Sequence, residues 1–295
     1  MQQAKFDYIV AVYNPNSTND AETKAKNFAT RAKKSGYRVK LYPTTHRGHA
    51  SEIAHEIVEQ YHHPLLISVS GDGGYNELIN GVMRAKRGTQ KEPVVAIIAA
   101  GNANDHKRLT RGDTPLLRLI KSHRVRPLDL LRLRAGALDR YAHSYIGLGI
   151  TPEVGIELNK HNLNRFTEVK LILKTFRRFR PFALKRDGST RRYANLIFAN
   201  ISGMSKVIKL DPEANKLGDG KFEVITEPWR GKLRLIAHLL KLVIFGSPES
   251  PQYKTYSFTT IDAITPVQLD GEIEELAKGA DVTVTAQNDA ILSLY

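Results

Sequence analysis

A glycine-rich turn that carries one carboxylate stands between an apolar run and a helical pattern at residues 65–84. Gly71, Gly73 and Gly74 can adopt positive φ and leave backbone N–H groups open to an anion. A helix that follows the turn would direct its positive end to the same point. Asp72 would repel a polyphosphate unless a cation lay between them. The turn therefore predicts a site for a nucleotide that binds together with a metal ion.

A second acidic motif, DGE, could accept a proton. If Asp270 and Glu272 lie on a strand, they share a face, because side chains alternate along a strand and residues i and i+2 point the same way. A hydroxyl that attacks a phosphoryl group needs an acceptor for its proton. The alternative interpretation of a lone DGE is a solvated turn, and the motif by itself favours that alternative.

Histidines offer a third kind of chemistry. Five of the ten histidines lie close together in the sequence, at positions 46, 49, 55, 62 and 63. We interpret them as surface and turn residues, because no two of them stand with a convincing ligand carboxylate.

The first part of the chain alternates between strand and helix periodicity. Apolar runs predict strands at Tyr8–Tyr13, Tyr37–Tyr42, 65–70 and Val94–Ala100, and amphipathic helical patterns follow them. This order predicts an α/β domain, doubly wound and Rossmann-like, in which ligands bind beyond the carboxyl ends of the strands. The polar turns NPNST, GDGG and GNAND follow three of these strands. We therefore expect them to share one edge of the sheet.

Short strand patterns dominate the second part of the chain. They predict a mainly β, antiparallel, sandwich-like domain. Two helical patterns, Leu163–Phe179 and Lys232–Phe245, are inserted in it. The change of pattern predicts domains at residues 1–128 and 129–295.

Composition narrows the classes of partner. The chain of 295 residues has 44 basic and 30 acidic residues, a formal charge of +14, and no cysteine. Disulfides and thiolate metal sites are excluded, and the longest nearly apolar run is too short to span a bilayer. The excess of positive charge favours an anionic partner: a phosphorylated substrate, an anionic membrane or a nucleic acid. Solubility alone is the alternative explanation.

The order of the motifs resembles a known family. NPNST, TTHRGHA, SGDGGYNELINGV, GNAND, LGDGKFEV and LDGE follow one another as they do in the diacylglycerol kinase catalytic-domain family, and most closely in the bacterial soluble lipid kinases. The resemblance implies ATP- and Mg²⁺-dependent phosphorylation of the hydroxyl of diacylglycerol or a related lipid. It also implies that residues 1–128 bind the nucleotide and that residues 129–295 form the lipid-substrate domain.

The resemblance also implies the site residues. The nucleotide would contact Asn14, Pro15, Asn16, Ser17, Thr18, Thr44, Gly71, Asp72, Gly73, Gly74, Tyr75, Asn76, Glu77 and Asn102. Asp72, Asp105 and Asp129 would hold Mg²⁺ through water. Asp219 would hold a second, structural Mg²⁺ with the carbonyl oxygens of Lys216 and Lys221. Asp270 and Glu272 would supply the catalytic base, and we favour Glu272 as the base with Asp270 orienting it. The loops read GDGG and GNAND where GDGT and GTxND are commoner, which leaves the nucleotide preference open.

The expected location is the cytoplasm, with peripheral attachment to an anionic membrane. Basic residues interleave with apolar ones in both inserted helical patterns, as membrane-surface helices require. An ordinary helix with its apolar face on the core explains each pattern equally well. Nucleic acid is not an expected partner, and a homodimer stays open. The alternatives are a small-molecule kinase similar to NAD kinase and a catalytically weak lipid- or nucleic-acid-binding protein.

Overall fold

A computed structural model describes residues 6–17, 19–101, 104–150, 152, 179–201, 203–204, 208–209, 218–235 and 250–295. The chain divides into two compact units. The first unit contains Met1–Leu130 and Asn288–Tyr295, and the second contains Leu131–Gln287. Of the two predicted inserted helices, residues 163–178 lie outside the described residues, as do residues 236–245. Residues 232–235 are helical.

The first unit alternates strands and helices as the sequence predicts. Its elements are β1 (Tyr8–Tyr13), α1 (Ala21–Lys34), β2 (Lys40–Pro43), α2 (His49–Gln60), β3 (Pro64–Ser70), α3 (Asp72–Lys86), β4 (Val94–Ala99), α4 (Asp105–Thr110), α5 (Leu116–Ser122) and the start of β5 (Val125–Ala135). The strands pair in parallel in the order β2–β1–β3–β4. All four therefore end at the same edge.

The core of the first unit forms where apolar strands meet apolar helix stripes. β3 is buried along its whole length, as expected for a central parallel strand. α1 buries Ala21, Ala25, Phe28 and Ala32, a stripe at helical spacing, and Asp20 caps its start by accepting a hydrogen bond from the N–H of Thr23.

The second unit is built mainly from antiparallel strands. They are β6 (Leu138–Ala142), β7 (Tyr145–Gly149), β8 (Phe182–Arg186), β9 (Ser189–Ala199), β10 (Gly203–Met204), β11 (Ile208–Lys209), β12 (Phe222–Pro228), β13 (Gln252–Tyr253), β14 (Thr255–Thr260), β15 (Ile264–Leu269), β16 (Glu272–Ala277) and β17 (Asp281–Leu294). β9 pairs with β7, β8 and β12, while β15 pairs with β7 and β16. Alternate residues of these strands form one core around Phe198, Phe222, Tyr256 and Phe258. The predicted fold class, an α/β part with a mainly β part, is confirmed.

The last strand belongs to both units. The beginning of β17 pairs with β14 in the second unit. Further along, Leu292 pairs with Val94 of β4, in parallel, and Leu294 is buried in the core of the first unit. Residues 288–295 thus complete the first unit, a return of the chain that local sequence patterns do not reveal. Among the described residues, no helix combines the length and apolar character needed to cross a membrane.

Candidate active site

The turns that follow β1 to β4 lie at one edge of the first unit. They contain residues 14–17, Thr44, Gly71 and Gly101, each just beyond the carboxyl end of its strand. The N–H of Thr44 donates to the carbonyl of Tyr13 over 2.8 Å, which joins the ends of β1 and β2. The structure therefore brings four predicted motifs to the edge where parallel sheets bind ligands.

The turns after β3 and β4 touch backbone to backbone. A Cβ on Gly71 would lie 3.1 Å from the Cα of Gly101, and a Cβ on Gly101 would lie 2.5 Å from the Cα of Gly71. Glycine is required here for close approach. The prediction of positive φ was wrong: Gly71 has φ −84°, and Gly73 and Gly74 lie inside α3. The reason is that α3 begins at Asp72, so these glycines form its first turn rather than a loop before it.

A neighbouring hydroxyl explains why position 74 is glycine. A Cβ at Gly74 would lie 2.6 Å from the Oγ of Ser70, which is buried. That hydroxyl donates to the carbonyl of Gly71 over 2.9 Å and lies 2.7 Å from the Oγ of Ser68. Ser70 therefore occupies the space that a threonine side chain in a GDGT turn would need.

Asp72 joins the turn after β3 to α4. Its Oδ2 accepts a hydrogen bond from the N–H of Asp105 over 3.2 Å, and its Oδ1 accepts one from the N–H of His106 over 3.4 Å. The side chain of Asp105 is buried and accepts a hydrogen bond from Nη2 of Arg108 over 2.8 Å. Two predicted magnesium ligands are thus brought together, and Arg108 balances one of their two negative charges.

Asp129, the third predicted magnesium ligand, lies on β5 and is 2% exposed. Its Oδ1 accepts a hydrogen bond from the N–H of Asp289 over 2.8 Å. Asp289 has φ 48°, a conformation that few residues other than glycine adopt without support. The contact ties β5 to the end of β17. A role for Asp129 in metal binding stays a prediction.

The three residues after GDGG are held by neighbouring parts of the first unit. Tyr75 is fully buried, and Asn76, also buried, accepts hydrogen bonds from Nδ2 of Asn80 through its carbonyl and its Oδ1. Glu77 accepts a hydrogen bond from the N–H of Gly48, the residue before α2, over 2.9 Å. Glu77 therefore links the GDGG helix to the TTHRGHA turn. Nucleotide contact by these three residues stays a prediction.

The NPNST motif forms a tight turn. Oδ1 of Asn14 accepts a hydrogen bond from the N–H of Asn16 over 2.9 Å, and its carbonyl accepts one from the N–H of Ser17 over 3.1 Å. The side chain of Asn14 thereby stabilises the turn itself, as asparagine commonly does. Thr18 and Asn102, both predicted nucleotide contacts, lie outside the described residues.

Two residues that sequence reasoning missed secure the same edge. Nδ2 of Asn19 donates to the carbonyl of Gly101 over 2.6 Å. Nζ of Lys24 donates to the carbonyl of Ala99, at the end of β4, over 2.9 Å. Their closeness to NPNST in the sequence was the available signal. Lys24 adds a positive charge beside the glycine turns.

A further cation, Arg111, directly follows α4. Nη2 of Arg111 donates to the carbonyl of Ile97 in β4 over 2.8 Å. Burial lowers the pKa of Arg111 from its ordinary value, yet a guanidinium stays charged in proteins. With Lys24 and Arg108, it places three positive charges in the same part of the first unit as the carboxylates of Asp72 and Asp105.

In the second unit, DGE forms a hairpin turn and not a strand. Leu269 ends β15 and pairs with Glu272, which begins β16. Asp270 and Gly271 are the two turn residues, with φ 50° and 103°. Positive φ at both positions is typical of a type I′ turn, for which Asp-Gly is a preferred sequence. The predicted shared strand face was wrong, because Asp270 is not in a strand.

Asp270 is fully buried, so the alternative of a solvated turn was also wrong. Its Oδ1 accepts hydrogen bonds from the N–H groups of Ser144 and Tyr145, each over 2.9 Å. Its Oδ2 accepts one from the N–H of His143, and Nε2 of that histidine lies 3.4 Å away. The carboxylate thus joins its own hairpin to the turn between β6 and β7.

That turn is an extended polar network which the sequence did not reveal. Nδ1 of His143 lies 2.7 Å from the Oγ of Ser144, and Nδ2 of Asn200 donates to the carbonyl of His143 over 3.1 Å. All three side chains are at most 4% exposed. The signal was the polar pair His-Ser inside the otherwise apolar run YAHSYIGLGI.

Glu272 differs from Asp270 in its exposure. It is the first residue of β16 and is half-buried. Solvent-accessible surface on this carboxylate is what a proton acceptor for an incoming hydroxyl requires. Its role as a base stays a prediction.

The loop predicted to hold a second Mg²⁺ is exposed. Oδ1 of Asp219 accepts a hydrogen bond from the N–H of Lys221 over 2.9 Å. The flanking Gly218 and Gly220 have φ 87° and 68°, which makes the loop tight. Lys216, the other predicted carbonyl ligand, lies outside the described residues, so the metal role of this loop stays a prediction.

Known proteins are similar to this chain. Diacylglycerol kinases from Staphylococcus saprophyticus subsp. saprophyticus and Staphylococcus carnosus (strain TM300) are each 25% identical to this chain, and each match covers 88% of this chain and 87% of the relative. A crystal structure of a diacylglycerol kinase from Bacillus anthracis str. Sterne has a TM-score of 0.69 and 18% identity, covering 99% of this chain and 97% of that one. That likeness shows the fold.

The family model "Diacylglycerol kinase catalytic domain" matches residues 8–133. This range holds NPNST, TTHRGHA, GDGG and GNAND, the motifs that meet at the edge of the first unit. The resemblance inferred from the motifs is confirmed over this range: residues 8–133 match the diacylglycerol kinase catalytic-domain family.

Proposed function

We propose that this chain is a lipid kinase that transfers the terminal phosphoryl group of ATP, with Mg²⁺, to the hydroxyl of diacylglycerol or a related lipid. With diacylglycerol the product is phosphatidic acid, a precursor of phospholipids. The observation that carries the proposal is the pairing of the Gly71 and Gly101 backbones with the Asp72 carboxylate at the carboxyl edge of a parallel sheet.

The donor set at this edge fits magnesium. Mg²⁺ prefers oxygen ligands, keeps several waters, and is usually held by one or two carboxylates together with substrate phosphates. Asp72 is half-buried, so hydrated Mg²⁺ can reach it. Asp105 and Asp129 are at most 2% exposed. In the proposed role, Asp72 holds the ion through water, and the other two carboxylates support it from behind. The ion would neutralise the charge between the β- and γ-phosphates.

The proton of the lipid hydroxyl goes to Glu272. As the hydroxyl oxygen bonds to the γ-phosphorus, the bond from phosphorus to the bridging oxygen of ADP breaks, and Glu272 accepts the proton. Base catalysis of this kind contributes about 10²–10⁴-fold. Asp270 orients Glu272 because it fixes the hairpin on which Glu272 stands. Asp219 would hold the second Mg²⁺ and stabilise its loop.

The expected setting is the cytoplasmic face of an anionic membrane. The substrate's hydroxyl lies at a bilayer surface, and the formal charge of +14 favours attraction to that surface. The same charge motivates the alternative of a nucleic-acid-binding protein, which would bind DNA or RNA more tightly than anionic vesicles.

The test is a phosphoryl-transfer assay with radiolabelled ATP and Mg²⁺. Diacylglycerol, monoacylglycerol and a sphingoid base in mixed micelles, and NAD in solution, serve as acceptors. We expect a labelled lipid, phosphatidic acid first of all. Label on NAD alone would support the NAD kinase alternative, and no labelled lipid would contradict the proposal. Asp72→Asn should abolish transfer, while Asp113→Asn, an exposed aspartate paired with Lys107, should not.

A further inference from the structure

Three side chains with metal-binding atoms meet at the start of α2. One ligand atom from each of His46, His49 and Glu52 lies within 4.8 Å of the others. Nε2 of His46 is 3.6 Å from Oε2 of Glu52, and the two imidazole rings stack with centroids 4.7 Å apart. The expectation that no two histidines share a convincing carboxylate was wrong. His49 and Glu52 are i and i+3 on α2, and the preceding turn brings His46 to the same face.

The backbone selects one tautomer of His46. Its Nδ1 lies 3.0 Å from the carbonyl oxygen of Arg47, and a carbonyl can only accept, so Nδ1 carries the proton. In the neutral ring, Nε2 then presents a lone pair beside a carboxylate oxygen of Glu52. Two acceptors at this distance repel each other unless a proton or a cation lies between them. A histidine that donates Nδ1–H to a backbone carbonyl is the usual arrangement of a metal ligand.

His49 needs a change of tautomer to present its Nε2. Its Nδ1 accepts a hydrogen bond from the N–H of Thr45 over 3.1 Å and lies 3.1 Å from Oγ1 of the same residue, so in the neutral ring the proton is on Nε2. A metal at Nε2 displaces that proton to Nδ1, which then donates to the hydroxyl of Thr45. The ring orientation is therefore set by the turn that precedes α2.

We propose that His46, His49 and Glu52 bind a divalent transition-metal ion, best Zn²⁺, with water in the remaining coordination position. In a tetrahedral site with Zn–N and Zn–O bonds of about 2.0–2.1 Å, ligand atoms lie roughly 3.3–3.4 Å apart. The 3.6 Å between His46 and Glu52 is close to that separation. Imidazole ligands select zinc, copper and nickel over magnesium. This site is therefore chemically distinct from the all-carboxylate edge at Asp72.

The metal would also brace a turn that the nucleotide site uses. His46 lies between Thr44, which bonds to the end of β1, and Gly48, whose N–H donates to Glu77, while His49 and Glu52 follow on α2. An ion that joins the turn to α2 should stabilise the folded first unit, because it binds the native state in preference to the unfolded chain.

The experiment uses the full chain after treatment with a chelator. Calorimetric titration with Zn²⁺ should show one site, and Co²⁺ should give the visible absorption of a tetrahedral centre with nitrogen and oxygen ligands. Because loss of an outer-shell partner alone weakens metal sites about 10- to 100-fold, His46→Ala and Glu52→Gln should each weaken binding at least about 100-fold. Zn²⁺ should raise the melting temperature of the wild type and not that of these variants.

Matched controls lie on the same helix and beyond it. Glu59→Gln removes an exposed carboxylate beside His55, and His62→Ala removes an exposed histidine. Both should bind Zn²⁺ as the wild type does. The ligand side chains are exposed or half-buried, so the variants should melt like the wild type in EDTA. No Zn²⁺ binding by the wild type, or equal binding by His46→Ala and the wild type, would show a surface ion pair and overturn the proposal.

Discussion

Two Asp-Gly turns of the second unit have nearly the same backbone and opposite surroundings. Asp187 and Gly188 join β8 to β9 with φ 49° and 75°, and Asp270 and Gly271 join β15 to β16 with φ 50° and 103°. The side chain of Asp187 is 85% exposed, with its Oδ2 3.3 Å from Nε of Arg186. The side chain of Asp270 is fully buried on three backbone N–H groups.

The comparison shows that the dipeptide sets the backbone of the turn, whereas the surroundings set the burial and contacts of its carboxylate. Asp-Gly sets the reversal of the chain, since both residues tolerate positive φ. What the carboxylate then does depends on groups about 125 residues away in the sequence. At Asp270 those groups are backbone N–H donors that hold the carboxylate in the interior of the unit. Glu272, the last residue of the motif, is only half-buried.

The largest effect is expected at the residue that follows the buried turn. Glu272→Gln should lower turnover of diacylglycerol by about 10²–10⁴-fold, because it removes the proton acceptor. ATP affinity and the melting temperature should stay at wild-type values. The control is Glu275→Gln, an exposed glutamate on the same strand, which should keep full activity. Full activity of Glu272→Gln would refute its role as the base.

The second-largest effect is expected for Asp270→Asn, as a loss of stability. The amide cannot accept all the hydrogen bonds that the carboxylate accepts, so it leaves buried N–H groups without a partner. We expect the free energy of unfolding to fall by about 2–4 kcal/mol, at 1–3 kcal/mol for each unsatisfied group. Urea unfolding measures this. Turnover should also be lost, while ATP binding is retained. An unfolding curve like that of the wild type would contradict the anchoring role.

Gly→Ala substitutions should cost the same in both turns. Positive φ strains any residue with a Cβ, by about 1–2 kcal/mol. Gly271→Ala and Gly188→Ala should therefore lower the free energy of unfolding by similar amounts in the same urea experiment. A much larger loss at one turn would mean that the two backbones are not equivalent, and the comparison would fail.

Asp187→Asn should have the smallest effect. Asparagine tolerates positive φ at least as well as aspartate, and an exposed ion pair adds little. Its melting temperature should match that of the wild type, within the usual range for surface substitutions. A loss comparable to that of Asp270→Asn would show that the turn, and not burial, sets the cost.

Periodicity was enough to predict the order of elements in the first unit. β1 and the helix stripe of α1 follow directly from apolar spacing, and the motif order predicted the family whose model matches residues 8–133. β2 begins at Lys40 and not at Tyr37, because alternation alone does not tell where pairing with β1 begins.

The details of the site required long-range contacts. That Gly71 meets Gly101, that Glu77 accepts a hydrogen bond from Gly48 and that Asp270 is buried all depend on residues that are distant in the sequence. No local pattern contains this information. The sequence patterns did not predict the contact between His46 and Glu52, for the opposite reason. The two residues are close in the sequence, but the turn that folds His46 back onto α2 has no periodicity that would reveal it.

The shared strand β17 has a consequence for synthesis. Leu292 and Leu294 complete the sheet and core of the first unit, yet in the sequence they follow the whole second unit. During synthesis, β4 lacks this partner until residues 288–295 have left the ribosome. The first unit must therefore wait for the whole of the second unit to be made before it can acquire its final form.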